Sequence, residues 1–443
     1  MQRLGRVLRL ASSGSVQQQL GRHQSQAAPT ACGDALPERC DVLIVGGGGM
    51  GASSAYWLKC KTQKQQLSVL VVERDACYTS ASTVLSVGGV RQQFSLAENI
   101  QMSLFGYDFI SNCRSHLGDV DLNFQPHGYL VLASDKGADT LSRNSKLQNE
   151  LGACNELLRP EALRARFPWL STADIALGCY GTDKEGWFDP WALLMGFKKR
   201  AREYGAQFAT GEVTGFEWNA AGQLQAAVVS TGDGQQRTVK FETCVLAAGA
   251  QSGQVARLAN IGTGPDVLRV PLPVEPRKRY VYVFNTQGSN CPDLATPLTI
   301  DPDGTYFRRD GLGGNFLCGR SPADDEEPEC DTLDVDHGYF ESNVWPTLAS
   351  RVPAFESVKV QSSWAGYYDH NSFDANGVIG RHPHYSNLYI AAGFSGHGIQ
   401  QTPAVGRAIS ELILAGKYQT LDLSRLGFER LVAQQRMLEV NIV

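Results

Sequence analysis

The chain has 443 residues, of which 42% are hydrophobic and 19% charged, with a formal net charge of −5. That length supports two domains with substantial cores, and no run of about 18 apolar residues offers a membrane span. The slight acidity argues against a nucleic-acid footprint, and eleven scattered cysteines with no C-x-x-C pair read as reduced thiols rather than a disulfide framework or zinc site.

Residues 1–33 carry four arginines (Arg3, Arg6, Arg9, Arg22) and neither lysine nor acid. With a Leu4/Val7/Leu8 stripe they have the composition of a mitochondrial transit segment, a disordered tail being the alternative. Asp41–Leu58 is the most informative stretch. Val42–Val45 reads as a buried strand, Gly46, Gly48 and Gly51 fall as G-x-G-x-x-G, and a helical pattern follows with Ala55 and Leu58 inward. In such a turn the first glycine permits the bend, the second lets backbone approach a pyrophosphate, and the third lets the helix lie close to the strand. Free amides and the positive dipole end at the helix start hold phosphate. A second apolar strand, Ser68–Val72, ends in Glu73, 22 residues after Gly51, where a carboxylate can accept from a ribose hydroxyl.

Arg74–Phe94 is rich in Ser, Thr and Gly, with small residues that can pass beneath a planar ring and Arg91 close behind. The spacing predicts a helix over about Leu96–Leu117. From Asp121 to about Asp174 the texture changes to short apolar runs between polar helical stretches, an excursion into a second domain. Asp189 caps a helix begun by Pro190 that ends near Gly205. Cys244–Gly249 reads as a buried strand ending in a turn, the completion of a parallel sheet.

Pro271–Phe284 opens a second excursion, with Tyr280–Phe284 a strand. Arg277, Lys278 and Arg279 precede it. Clusters of this kind usually meet solvent or acids, and holding an anionic substrate is the other use. Two strands flank a turn at Asp310–Gly314. The acidic run Asp324–Glu329 reads as a solvated loop, not a metal site. Near the end, Leu388–Ala392 is a strand, Gly393–Gly398 is the loop G-F-S-G-H-G, and Thr402 and Pro403 are expected to cap and begin a helix closed by Gly416.

Four of these segments, Gly46–Gly51 with Glu73, Ser80–Arg91, Cys244–Gly249 and Gly393–Gly398, together resemble the D-amino-acid oxidase and sarcosine oxidase type of FAD enzyme. V-V-E-R-D at 71–75, L-S-V-G-G-V at 85–90, E-G-W-F-D-P-W at 185–191, P-V-E-P-R-K-R-Y-V-Y-V at 273–283 and W-A-G-Y-Y-D at 364–369 are similar to a mitochondrial branch of that family associated with assembly of respiratory complex I. The resemblance implies an α/β fold: a discontinuous Rossmann-type FAD-binding domain (38–120, 175–250 and 370–432) and a second domain (121–174 and 251–369) whose mixed or antiparallel sheet covers the flavin. It puts adenosine at Glu73 and Arg74 and pyrophosphate at Gly46, Gly48, Gly49, Met50 and Gly51. The ring falls near Ser86–Arg91, with Gly88 and Gly89, on one side and near Gly393–Gly398, with Gly396 and His397, on the other, and Ser80, Ser82, Ile399 and Gln400 are further cofactor contacts. Val213, Ala248 and Gly249 complete the contacts. A helix N-terminus under the C2 carbonyl of a flavin stabilises the negative charge that collects there on reduction.

The relatives attach flavin covalently through a histidine, where this chain has Leu85, or through a cysteine, which is missing around Trp364–Tyr368; FAD is therefore expected to be non-covalent. The lysine that helps oxygen react has no counterpart in Asn315–Gly319, and the substrate-carboxylate lysine appears as Gln400, leaving Arg91 as the aligned anion clamp. A dehydrogenase is expected over an oxidase, taking hydride from a C–H beside an amine nitrogen. Tyr306 and Arg308 on a substrate-domain strand, Tyr368 in the cavity wall and His397 as flavin contact or base join Arg91 as candidates, with no metal. Trp187, Trp191 and Trp364 read as core or interface residues. Expected partners are an amine or amino-acid-like substrate and complex I subunits or assembly intermediates, in the matrix or peripherally at the matrix face of the inner membrane. Two other readings remain: a scaffold that FAD merely stabilises, and an NAD(H)-binding protein, against which the second glycine loop argues.

Overall fold

The computed structural model describes residues 34–62, 67–286 and 290–440. The transit segment expected over 1–33 lies outside the described residues. Within them the chain forms two eight-stranded sheets and a small two-stranded one. The first sheet grows from Arg39–Val45, which has parallel neighbours on both sides, Val69–Glu73 and Gln236–Leu246. Both faces are covered, so Val42–Val45 is a continuous apolar run. Gln207–Thr210 and Leu388–Ala392 extend the parallel part, and Val378–Arg381 closes one edge antiparallel.

Two helices tie the ends of the chain together. Gly49–Thr62 leaves the first glycine turn, Gly398–Ala415 leaves the last glycine loop, and they pack side by side. A Cβ at Gly406 would lie 2.2 Å from Ser53 Oγ, so only glycine permits this approach. Trp57 Nε1 donates to Pro403 O at 2.9 Å across the seam. Two loops more than 300 residues apart are thereby held at the same end of the sheet.

The second helix does not begin at Thr402–Pro403 as expected. It starts at Gly398 and carries Pro403 inside. Tertiary bonds draw out the extra turn: Gln400 Oε1 accepts from Arg91 N at 2.7 Å and Gln401 Nε2 donates to Asn99 Oδ1 at 3.1 Å. The helix expected over Leu96–Leu117 breaks at Asn112 into Ala97–Ser111 and Cys113–Leu117.

The second sheet takes strands from two separate lengths of chain, in the order 358–371, 274–286, 315–319, 306–310, 298–300, 129–133, 177–183 and 154–158. It is antiparallel except where Leu298–Ile300 runs parallel to Tyr129–Ala133. Leu177–Asp183, given to the first unit by the sequence reading, pairs instead with Tyr129–Ala133 and Cys154–Leu158. The chain re-enters the first unit only at Gly186, whose φ of +156° and close approach to Gln125 O exclude a side chain. Both expected strands of the Asp310–Gly314 hairpin form. Alternation divides this sheet. Tyr282, Phe284, Phe307 and Phe316 pack with Phe355 into an aromatic core, and Val281, Tyr306 and Trp364 look the other way, towards the first unit.

Asp189 is the N-cap of Pro190–Glu203, as its sequence predicts: Oδ1 accepts from Trp191 N at 2.9 Å and Ala192 N at 3.1 Å. Asp189→Ala is expected to lower stability by about 1 kcal/mol, read by urea unfolding at fixed flavin saturation, and Asp189→Ser to recover most of it.

Candidate active site

A cavity of about 510 Å³ runs from the first glycine turn to the inner face of the second sheet. One end is built from backbone. Gly46 has φ +99°, and a Cβ there would sit 2.3 Å from Ala247 O; one at Gly51 would sit 1.9 Å from Gly46 O. Strand, turn and helix are therefore in direct backbone contact. Gly48 differs: the nearest neighbour of its Cβ would be Thr83 Oγ1 at 3.4 Å, so the space beside it belongs to the cavity. Glu73 closes this end, with Oε2 accepting from Gly47 N at 2.7 Å and Oε1 from Asp75 N at 2.9 Å. Gly49 N donates to Thr83 Oγ1 at 2.9 Å, which draws the Ser82–Leu85 turn over the helix start.

This cradle fits a dinucleotide. The turn lies at a helix start, an acidic side chain lies within reach of a ribose, and Gly48, the glycine of the turn with the most space beside it, borders the cavity where a pyrophosphate would fit. Arg74, Ser80, Ser82, Ser86, Val213, Ala248 and Gly249 border the cavity, as do Gly46, Gly48, Gly49 and Met50. The far end is walled by Gly396, Gly398 and Ile399 from the last glycine loop and by Tyr306, Tyr367 and Tyr368 from the second sheet. A Cβ at Gly396 would lie 2.5 Å from Tyr368, so loop and ring are in contact. Burial pushes the Tyr306 and Tyr368 hydroxyls above the usual phenol range, so both act as neutral hydrogen-bonding groups.

Several expected site residues lie behind the wall. Arg91, the expected anion clamp, does not border the cavity: it donates to Gln93 O at 3.1 Å and stacks on Phe94 at 4.6 Å. Arg308 is buried, with Nη2 on Val87 O at 2.9 Å and its charge over Trp187 at 5.2 Å; it pins the loop that lines the cavity. His397 sits edge-on to Phe94, and burial together with the Arg91 charge pulls its pKa down to about 3, which makes it a very weak base. Gln400 is spent on Arg91 N. Gly88 and Gly89 face Phe188 O and the Tyr129 hydroxyl, and Gly393 packs on Val274 and Asn371. All seven are supports for the lining rather than parts of it. Gly51 likewise packs under the turn, the role its motif position predicts.

Among the lining residues that the sequence did not single out are Thr83 and Asp369, and Arg279, from the cluster expected to meet solvent or acids or to hold an anionic substrate, borders the cavity as well. Thr83 is the acceptor for Gly49 N. Arg279 borders the cavity and lies over the Tyr368 ring at 5.3 Å. Asp369 accepts from Gly393 N at 2.9 Å and Phe394 N at 3.1 Å, joining the second sheet to the last glycine loop. Burial pushes its pKa up to about 6, against the pull of those amides. The W-A-G-Y-Y-D string marked its neighbourhood, but nothing in it told a lining carboxylate from a solvated one.

The sequence matches the family described as "FAD dependent oxidoreductase" over residues 41–412. It is 52% identical over 427 residues to the Drosophila melanogaster "FAD-dependent oxidoreductase domain-containing protein 1 homolog", covering 93% of this chain and 82% of that one. The Xenopus laevis "FAD-dependent oxidoreductase domain-containing protein 1" is 50% identical over 435 residues, with 94% and 87% covered. The fold is similar to that of L-proline dehydrogenase from P.horikoshii, with a TM-score of 0.77, 26% identity, and 91% of this chain and all of that one covered.

Gly48→Ala separates cradle from scaffold. It should fold with near-normal stability, because no protein atom crowds the new methyl, yet weaken FAD binding by roughly ten-fold or more; fluorescence titration of the apoprotein with FAD measures it. Asp369 supplies a pH test. Its folded pKa is raised, so the stability present when it is neutral is lost as pH rises through about 6. Relative to Asp369→Asn, the wild type should lose unfolding free energy between pH 4.5 and 7.5, read by urea denaturation at fixed flavin saturation.

Proposed function

Because this chain belongs to the FAD-dependent oxidoreductase family, we propose that it is a mitochondrial dehydrogenase acting on a secondary or N-methylated amine of amino-acid type, and that it serves assembly of respiratory complex I. The observation that carries the redox reading is the continuous cavity. The dinucleotide cradle at Gly46–Gly49 and Glu73 opens without interruption onto Tyr306, Tyr368 and Arg279, residues that have no use in holding a nucleotide.

Bound FAD supplies the hydride acceptor. The protein's contribution is placement and exclusion of water. Tyr306 and Tyr368 close the far wall, and the substrate carbon is held against it by groups of the second sheet. Asp369 is the carboxylate at this end, with a pKa pushed up to about 6, suited to holding a proton or the positive end of an amine. His397, with a pKa near 3, contributes no base chemistry at neutral pH.

Non-covalent binding is supported by the lining, in which no cysteine or histidine occurs among the described residues. A dehydrogenase is favoured over an oxidase because no lysine borders the cavity either, and similarity to an L-proline dehydrogenase supports a secondary-amine substrate. The mitochondrial location rests on the arginine-rich, acid-free composition of residues 1–33. The complex I role, with subunits or assembly intermediates as partners at the matrix face of the inner membrane, rests on the resemblance carried by residues 71–75, 85–90, 185–191, 273–283 and 364–369. No helix among the described residues is long and apolar enough to cross a membrane.

Purified protein should bleach near roughly 450 nm when mixed anaerobically with an N-methyl amino acid or L-proline, and reoxidise slowly in air. Bleaching by none of a panel of secondary amines would overturn the dehydrogenase reading and favour the scaffold. Complementation by a variant that keeps FAD but does not turn over would separate the assembly role from the redox one.

A further inference from the structure

Four arginines among the described residues are buried, and three of them meet an acid. Arg351 pairs with Asp301 and Asp174 and donates to Ser171 O. Arg430 grips Asp374. Arg308 donates to Val87 O and Arg309 O and has Asp310 at 3.6 Å. Arg309 is the exception. It is 8% exposed, yet its side chain has neither a hydrogen bond nor an ion pair among the described residues. Its guanidinium lies over the Phe316 ring at 4.7 Å. Nε is sealed without a partner, and the two Nη nitrogens are unbonded but not sealed, so the end of the fork keeps what opening there is.

Alternation along the strand Tyr306–Asp310 explains the missing partner. Arg308 and Asp310 share one face and pair with each other, whereas Arg309 shares the opposite face with Phe307, in the aromatic core. Burial pushes the Cys291 thiol up against the pull of the Arg309 charge, so this neighbour supplies no counter-ion. The Phe316 ring attracts the cation but accepts none of its in-plane N–H groups. A buried cation left in this state costs free energy until an anion meets it, and two Nη nitrogens end-on match the two oxygens of a carboxylate.

Three residues further on, the hairpin turn presents Leu312, 87% exposed. Gly311 and Gly313 on either side have open space where a Cβ would stand, so the turn projects clear of the body of the protein. We infer that this end of the second sheet, with Arg309 and Leu312, is a docking surface for a segment of a partner protein in which an Asp or Glu lies beside an apolar residue. The carboxylate seats on the Nη end of Arg309 and the apolar side chain covers Leu312. Charge chooses the occupant: a membrane surface or a nucleic acid calls for several cations together, while one unpaired arginine beside one apolar side chain suits a peptide. Arg309 does not border the cavity, so the surface stands whether or not the flavin turns over.

The test uses holoprotein and ligand-observed saturation-transfer NMR, with acetyl-Leu-Glu-amide as the probe and acetyl-Leu-Gln-amide as its neutral match at equal ionic strength. Wild type should bind the acidic peptide at roughly millimolar concentration and the neutral one at least about five-fold more weakly. Arg309→Met should bring the acidic peptide down to the level of the neutral one, and Arg309→Lys should restore only part of the difference. Leu312→Ser should weaken both peptides by a similar factor. The flavin spectrum should be the same in all variants. Urea unfolding supplies a second reading: Arg309→Met, which replaces an unpaired buried charge by an apolar chain of similar length, should unfold at the same urea concentration as wild type or higher. A lower midpoint would show that the charge is already satisfied within the fold and would overturn the inference. Equal binding of the two peptides, or acidic-peptide affinity unchanged in Arg309→Met, would overturn it as well. Acetate binding as tightly as the acidic peptide would reassign the arginine to a small free anion and overturn the docking surface.

Discussion

The structure depends on a backbone contact that tolerates no side chain. Where Arg39–Val45 and Gln236–Leu246 end side by side, Gly46 turns at φ +99° with Ala247 O beneath it, and Gly51 rests on Gly46 O. A methyl at either position would drive strand, turn and helix apart. With the helix held against the strands, the turn that leads into it is tied to Glu73 through Gly47 N, and the space beside them becomes the near end of the cavity. Gly48 follows a different logic: nothing of the protein crowds it, so its lack of a side chain serves whatever enters.

The far end depends on charge placed against the cost of burial. Asp369 links the second sheet to the last glycine loop: its carboxylate leaves the long strand Val358–Asn371 and takes the amides of Gly393 and Phe394. Those bonds favour the ion and burial opposes it, and the balance leaves the group poised near pH 6. A second buried carboxylate, Glu185, is pushed up to about 7 for the same reason, yet it sits behind the wall on Gln92 N and Gln93 Nε2. The layer of Arg91, Gln92, Gln93, Glu185 and Arg308 is thus a polar support under the lining, and this is why the aligned arginine is not the one that borders the cavity.

The C-terminal segment closes the first unit. Arg430 grips Asp374 through Nε at 2.8 Å and Nη2 at 3.0 Å, and Asp374 Oδ2 also accepts from Met437 N at 3.1 Å. A buried pair of this kind is weak evidence for stability but expensive to break, because removing one partner strands the other charge. It anchors the loop between Asn371 and Val378, hence the strand that leads into the last glycine loop.

Local features were legible in the sequence because their causes are local. A buried parallel strand must be apolar throughout, a dinucleotide turn must have glycines where backbone meets backbone, and Asp189 before Pro190 can cap only the helix it begins. The chain therefore announced its α/β class, both glycine loops, Glu73, the hairpin at Asp310–Gly314 and most of the lining at Ser80–Ser86. What it could not announce was direction. The early start of the last helix comes from Arg91 N and Asn99, and the membership of Leu177–Asp183 comes from pairing with strands on either side. Whether Arg91, Arg279 or Arg308 faces the cavity depends on which side of a strand or loop is covered. For Arg279 one residue of register reverses that choice, and its partner on the neighbouring strand, Gly366, lies more than 80 residues away in the chain.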